Sequence, residues 1–264
     1  MTDIGLSSQL TAPLSPDARI PLIGFGTWQL SGDEARQAVS WALEAGYRHL
    51  DTATGYGNED QVGAALRDSG VPRDEVFVTT KLPPDHVGRE RQTLQESLDK
   101  LGVDHLDLWL IHWPPNGTAG VESWKVFVEA QKEGLVRHIG VSNYSLDQID
   151  ELTSATGVTP AVNQIKWSPV QFDRDLLEGS RERGVVVEGY SPFRAAKLDD
   201  PVLTGLADKY GKTVPQVIVR WHLQRGVVVI PKSAKRERIE ANIDVFDFEL
   251  SADELTSIDN LSEA

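Results

Sequence analysis

Eight short β-prone runs recur along the chain with amphipathic segments between them, and this alternation restricts the fold more than any other feature. The runs cover residues 22–25, 49–53, 76–82, 105–112, 138–143, 161–167, 185–191 and 227–233. Their starts are spaced by 27, 27, 29, 33, 23, 24 and 42 residues, and the intervals carry helix signals. Asp33 opens the first helix, whose Ala38, Val39, Ala42 and Leu43 share a face before Gly46. A helix over 87–101 carries Leu94, Leu98 and Leu101 before Gly102, and Ser145 begins another that ends at Gly157. The long last interval holds two helices, 201–210 and 214–224, and Ser251 and Glu254 form a capping box for a further one. A hairpin is expected over 11–21.

Runs such as Val185 to Val187 and Val227 to Ile230 are continuously apolar, as when both faces of a parallel strand are buried. Eight βα units of this kind imply a closed (β/α)8 TIM barrel with an N-terminal β-hairpin and extra C-terminal helices, an open doubly wound sheet being the alternative. The 264 residues match the roughly 250 that such a barrel uses, and no linker or low-complexity segment divides them, so one domain over 1–264 is expected.

The chain has no cysteine, which excludes a disulfide scaffold, a thiolate metal site and a cysteine nucleophile. No histidine pair has metal-ligand helical spacing, and no metal is expected. With 26 Lys and Arg against 40 Asp and Glu, the net charge of −14 opposes binding to nucleic acid or an anionic membrane. No targeting signal or membrane-spanning run is read, and a cytoplasmic location fits. The acid is uneven: between Arg220 and Arg238 lie six basic residues and one acid, Glu237.

In a (β/α)8 barrel, function gathers where the strands end. The second run carries Asp51 and is followed by Tyr56, the third carries Lys81, and the fourth ends at His112 and Trp113. A phenol is a weak acid at neutral pH unless a neighbouring ammonium stabilises its anion. Lys81 can supply that charge, Asp51 can hold Lys81, and His112 can orient a carbonyl oxygen or relay a proton to Tyr56. Taken singly, an internal ion pair, a rim aromatic and a core histidine explain each residue as well; together at one rim they favour protonation of a developing alkoxide. A second active reading makes Lys81 a Schiff-base nucleophile.

The remaining strand ends carry Ser142, Asn143, Gln164, Tyr190, Ser191, Lys232 and Ser233. The amides and hydroxyls suit the carboxamide of a nicotinamide, with Tyr190 stacked on its ring, and Lys232, Ser233 and Arg238 suit phosphate. A solvated helix face explains Lys235 and Arg236 better. Neither Gly24-Phe25-Gly26 nor Gly55-Tyr56-Gly57 has the third glycine of a dinucleotide fingerprint. The segment around Gly211-Lys212-Thr213 has the wrong spacing for a P-loop, and Gly140 to Tyr144 lacks the last glycine of a nucleophile elbow.

These residues resemble the aldo-keto reductase family from Ile20 to about Leu255, especially its short bacterial diketogluconate-reductase-like members. The matching motifs include Gly24 to Trp28, Gly46 to Ala53, Tyr56 to Glu59, Thr80-Lys81, His112 to Pro114, Ile139 to Asn143, Asn163-Gln164, Tyr190 to Pro192, Ile230 to Ser233 and Val245 to Phe248. The resemblance implies Asp51, Tyr56, Lys81 and His112 as a catalytic tetrad, with Tyr56 the general acid. It assigns Ser142, Asn143, Gln164, Tyr190 and Ser191 to the nicotinamide end of NADPH, and Lys232, Ser233, Arg238 and Asn242 to the adenosine end. Trp28 and Trp113 join Tyr56 and His112 around the substrate, while Trp41, Trp124 and Trp221 are expected in the core.

Departures from the family pattern are Ala241 where many relatives have glutamate, Phe193-Arg194-Ala195 after Tyr190 to Pro192, and Pro83 in place of an aromatic residue. Short segments after Trp113 and at the C-terminus imply an open, permissive pocket. The expected activity is NADPH-dependent reduction of aldehydes or ketones, dicarbonyls and keto-sugars included, by a monomer whose partner is a small carbonyl substrate. A non-catalytic NADPH-binding sensor or interaction module is the alternative.

Overall fold

The computed structural model describes residues 10–194 and 196–262. A hairpin of β1 (Thr11–Ser15) and β2 (Ala18–Pro21) pairs antiparallel ahead of the main sheet. Eight parallel strands follow in chain order: β3 (Phe25–Gly26), β4 (His49–Asp51), β5 (Phe77–Leu82), β6 (Leu106–Ile111), β7 (Val136–Ser142), β8 (Val162–Lys166), β9 (Val186–Tyr190) and β10 (Val228–Val229). Each pairs with the next, and the ends meet through an Ile23–Val229 bridge with Gly24 N donating to Val229 O at 2.9 Å. The result is the expected TIM barrel.

The helices lie between the strands: α1 (Gly32–Glu44), α2 (Glu59–Asp68), α3 (Glu90–Leu101), α4 (Val121–Lys132), α5 (Leu146–Thr156) and α6 (Arg174–Glu182). Two helices, α7 (Pro201–Tyr210) and α8 (Val214–Gln224), fill the long interval before β10, and α9 (Arg236–Ile243) and α10 (Ala252–Asp259) end the chain. Capping boxes at Ser145, Thr213 and Ser251 start α5, α8 and α10, each satisfying amides that a helix N-terminus otherwise leaves unpaired.

Several boundaries differ from expectation, most strand ends by one or two residues. The strands β3 and β10 that meet at the seam are short, and Pro231, just beyond β10, has no N–H with which to extend the ladder. The helix expected from residue 87 begins at Glu90: Pro84–His86 form a 3₁₀ turn and Gly88 takes a φ of 87°. Strand β7 begins at Val136, two residues early, because Val136 pairs with Leu106.

The inward stripe of α1, from Ala35 to Leu43, is buried against the sheet, as are Leu94, Leu98 and Leu101 of α3. A second apolar cluster joins Leu203 and Leu206 of α7 to Val217, Ile218 and Trp221 of α8 and Ile258 of α10. Trp124 and Trp221 are fully buried, whereas Trp41 is only half-buried at the edge of the core. Among the described residues no helix is long and apolar enough to cross a membrane.

Candidate active site

Strand β4 places Asp51, and β5 places Lys81, side by side inside the barrel. The Lys81 ammonium donates to Asp51 Oδ1 at 2.7 Å, to Asp51 Oδ2 at 2.8 Å and to the Thr52 carbonyl at 2.8 Å. All three of its donors are therefore used, in a side chain with no solvent exposure. Burial alone disfavours the ammonium, but the Asp51 charge and hydrogen bonds outweigh it and hold the Lys81 pKa above its ordinary value.

Tyr56 stands over this pair, with Lys81 Nζ 5.1 Å from its ring centroid. Burial raises the Tyr56 pKa, and the Lys81 charge is the largest influence pulling it back toward useful acidity. The His112 ring, at the end of β6, packs edge-on to the Tyr56 ring at 5.8 Å. Burial and then the Lys81 charge lower the His112 pKa to about 3, so this imidazole is neutral at neutral pH.

A buried asparagine fixes the turn that carries Tyr56. Asn58 Nδ2 donates to the carbonyls of Thr27 and Leu30, each at 2.9 Å, and its Oδ1 accepts from Thr52 Oγ1 at 2.7 Å. The turn Thr54–Tyr56 is thereby tied to the loop after β3 as well as to β4. Nothing in its sequence position distinguishes Asn58 from an ordinary helix N-cap; two of its three partners lie on one distant loop, the one after β3.

The other strand ends form a connected polar wall. Gln164 Nε2 donates to Asp51 Oδ2 at 2.8 Å, Ser142 Oγ donates to the Gln164 carbonyl at 2.8 Å, and Tyr190 OH donates to Asn143 Oδ1 at 2.8 Å. Asn143 Nδ2 reaches the His112 carbonyl at 3.3 Å and Ser142 Oγ at 2.9 Å. Asn143, Ser191 and Gln29 have φ of 65°, 55° and 63°, left-handed values that non-glycine residues rarely adopt. All three line the same cleft, where backbone strain of this kind commonly concentrates.

That cleft encloses about 840 Å³, within the range of small-molecule and cofactor sites. Asp51, Tyr56, His112, Ser142, Asn143, Gln164, Tyr190, Ser191 and Lys232 line it, with Trp28 and Trp113 on its walls at 41% and 47% exposure. Those two tryptophans are thus not core residues. Pro83 also lines it, and the Arg194 guanidinium lies over the Trp28 ring, 5.3 Å from its centroid. Ala195 lies outside the described residues.

Lys81 is beneath the cleft rather than on its surface, and Ser233, Arg238 and Asn242 follow β10 without lining it. Lys232 and Arg238 are exposed, and among the described residues neither is ion-paired, whereas Arg236 pairs with Glu44 and Glu240. Two further polar residues of the barrel interior went unnoticed in sequence: His49 and Glu188, both fully buried. A glutamate inside the apolar run from Val185 to Tyr190 is the signal that marks the second.

The Aldo/keto reductase family model matches residues 22–263. The chain is 45% identical over 246 residues to an aldo-keto reductase of Mycolicibacterium smegmatis, covering 92% of this chain and 90% of that one. It is also 45% identical over 248 residues to methylglyoxal reductase DkgA of Escherichia coli, with the same coverage of 92% and 90%. Among solved structures, an aldo/keto reductase from Brucella melitensis superposes with a TM-score of 0.91 at 42% identity, over 95% of this chain and 98% of that one. A Bombyx mori aldo-keto reductase in complex with NADP does so with a TM-score of 0.87 at 39% identity, over 95% and 92%. A match across nearly the whole chain, at these identities, joins the barrel and its strand-end residues to one group of enzymes: the protein belongs to the aldo/keto reductase family.

Proposed function

We propose that the protein reduces small aldehydes and ketones with NADPH, and that Asp51, Tyr56, Lys81 and His112 carry the proton chemistry. The observation that supports this most is the Lys81 ammonium, held by three acceptors beneath the Tyr56 phenol at the floor of the cleft. A relative acting on methylglyoxal and a neighbouring structure containing NADP point to the same chemistry.

NADPH, when bound, supplies the hydride that reduces the carbonyl carbon. The Tyr56 hydroxyl gives its proton to the carbonyl oxygen, and Lys81 stabilises the phenolate left behind until solvent reprotonates it. Asp51 keeps Lys81 charged and aimed. Neutral His112 has one ring N–H to offer the same oxygen, which orients the carbonyl without adding a second positive charge. Trp28 and Trp113 supply apolar walls on either side of an open cleft, consistent with small and varied carbonyl substrates.

The cofactor site is tested by what the cleft offers. Its volume, its amide and hydroxyl wall, and the cations after β10 that have no ion pair among the described residues fit a nicotinamide dinucleotide with an additional phosphate. Ser142, Asn143, Gln164, Tyr190 and Ser191 are assigned to the nicotinamide end. Lys232, Ser233, Arg238 and Asn242 are assigned to the adenosine end, where α9 begins with no side-chain cap on its first amides. The Schiff-base alternative is disfavoured because Lys81 is charged, buried and fully hydrogen-bonded, the opposite of a free nucleophilic amine.

Replacing Tyr56 by Phe removes the proton donor with little change of shape. Turnover with a dicarbonyl should fall by about 10²- to 10⁴-fold while NADPH affinity, followed by fluorescence quenching, stays within a few-fold of wild type. Full activity in Tyr56→Phe would overturn the assignment of the acid.

A further inference from the structure

Beneath the Asp51–Lys81 pair lies a carboxyl for which the proposed chemistry has no use. Glu188 is on β9, opposite Gln164 of β8 in the strand register, and it has no solvent exposure. Among the described residues neither of its oxygens has a hydrogen-bond partner. The nearest basic group, His49 Nε2 on β4, is 3.6 Å from Glu188 Oε1, beyond hydrogen-bond range, and instead faces Thr79 Oγ1 at 3.1 Å. Gln164 gives one of its two amide protons to Asp51.

We infer that Glu188 is a positioning residue that acts through Lys81 and Tyr56: as a neutral acid it leaves the Lys81–Asp51 pair electrically balanced, and its ionisation weakens Tyr56 as a proton donor. The inference rests on the reading of Tyr56 as the acid. Three physical points support it. An ionised carboxylate here would be fully buried with no direct cationic partner and only the Gln164 amide beside it to offset the lost water, which favours the protonated form. Burial, then the Asp51 charge, raise the Glu188 pKa to about 8, against the pull of Lys81 and of the Gln164 amide. The charge of Glu188 in turn raises the pKa of Tyr56.

The groups that face Glu188 are few. From β4 come His49 and Asp51, from β5 Lys81, and from the turn after β4 Tyr56. His49 is neutral, burial and then Lys81 having lowered its pKa to about 3. The neighbouring β10 offers only Val228 and Val229, and His222 of α8 lies on the opposite face of β9, against Gly189. Net negative charge thus appears in this layer only when Glu188 loses its proton to solvent.

Glu188→Gln keeps the shape of the neutral acid and cannot ionise. The test compares the pH profiles of kcat/KM for carbonyl reduction in wild type and Glu188→Gln, alongside infrared spectra of both proteins with NADP bound. In wild type, a carboxylic-acid C=O stretch should vanish as pH rises through about 8, and kcat/KM should fall across the same interval. In Glu188→Gln that band should be missing. The ratio of variant to wild-type kcat/KM should then rise about fivefold or more from about pH 6.5 to about pH 9.5. Superimposable profiles, or a wild type with no titrating acid band, would overturn the inference. If the variant does not fold, the wild type alone decides, since a band and a kinetic step at different pH also overturn it. A wild type that shows the band but reduces no carbonyl would defeat the proposed function and, with it, the role of Glu188 through Tyr56.

Discussion

Lys81 shows how one residue couples stability to chemistry. Its ammonium satisfies the Asp51 carboxylate in a layer without water, so each charge is tolerable only because the other is present. Lys81→Met leaves Asp51 buried without its cation, and unfolding by denaturant should show a loss of about 3–5 kcal/mol. Turnover should collapse together with that stability, because the phenolate of Tyr56 loses the Lys81 charge that stabilises it. A Lys81→Met protein as stable as wild type would mean that the pair contributes nothing. The four positions proposed for the proton chemistry share one sequence signal, since each stands at or just after the end of a β-prone run and barrel strands end at one rim. Asn58 and Glu188 do not share it. Asn58 matters through carbonyls on the loop after β3, and Glu188 through side chains two and more strands away, and spacing along the chain carries neither relation.

At the level of elements, helices with both a cap and a stop signal were read to the residue, as α7 and α8 show. Strands were placed correctly but with looser ends, because a strand ends where its neighbours stop pairing. Thus β7 reaches back to Val136 for the sake of Leu106, and β10 at the seam stops short of Pro231. The register of β7 also depends on a missing side chain. A Cβ on Gly140 would fall 2.6 Å from the Val162 carbonyl oxygen and 2.7 Å from Leu110 Cδ2, and the first of these is backbone that cannot step aside. Gly140→Ala should therefore lower stability by about 1–3 kcal/mol in thermal or denaturant unfolding. Because Ser142 ends the same strand and Asn143 follows it, both proposed to hold the nicotinamide, it should also weaken NADPH binding. Unchanged unfolding would show that β7 and β8 have slack that the contacts do not suggest.

Across the whole molecule, the acidic surface and the polar interior act on stability in different pH ranges. Burial depresses the pKa of His49 and His112 to about 3 and that of His222 to about 4, so all three fold neutral. Below an unfolded value near 6.5 the unfolded chain takes up more protons than the native one, and stability drops as pH falls toward about 4 and below. Glu188 has the opposite sign. Its raised pKa means the native state holds an extra proton between about 4.5 and about 8, so its contribution is lost as pH rises across that window. His105 and His138, also lowered by burial, act with the same sign as these three, so the histidines outnumber the one carboxyl and make the acid side steeper; thermal unfolding should give a maximum at about pH 6.5 with a shallower decline toward about pH 8. In Glu188→Gln the alkaline decline should flatten while the acid side stays.

The net charge of −14 takes its meaning from the same scale: the surface is acidic, but the exposed cations Lys232 and Arg238 follow β10, beside the cleft proposed to hold a polyanionic cofactor. Whether that cleft transfers hydride or only binds is settled most directly by isotope. With NADPH deuterated at nicotinamide C4 and a small dicarbonyl in ordinary water, the account predicts deuterium on the new carbinol carbon of the product, one atom for each NADPH oxidised. Tight NADPH binding with no label in any product would contradict it and leave a cofactor-binding protein without reductase chemistry.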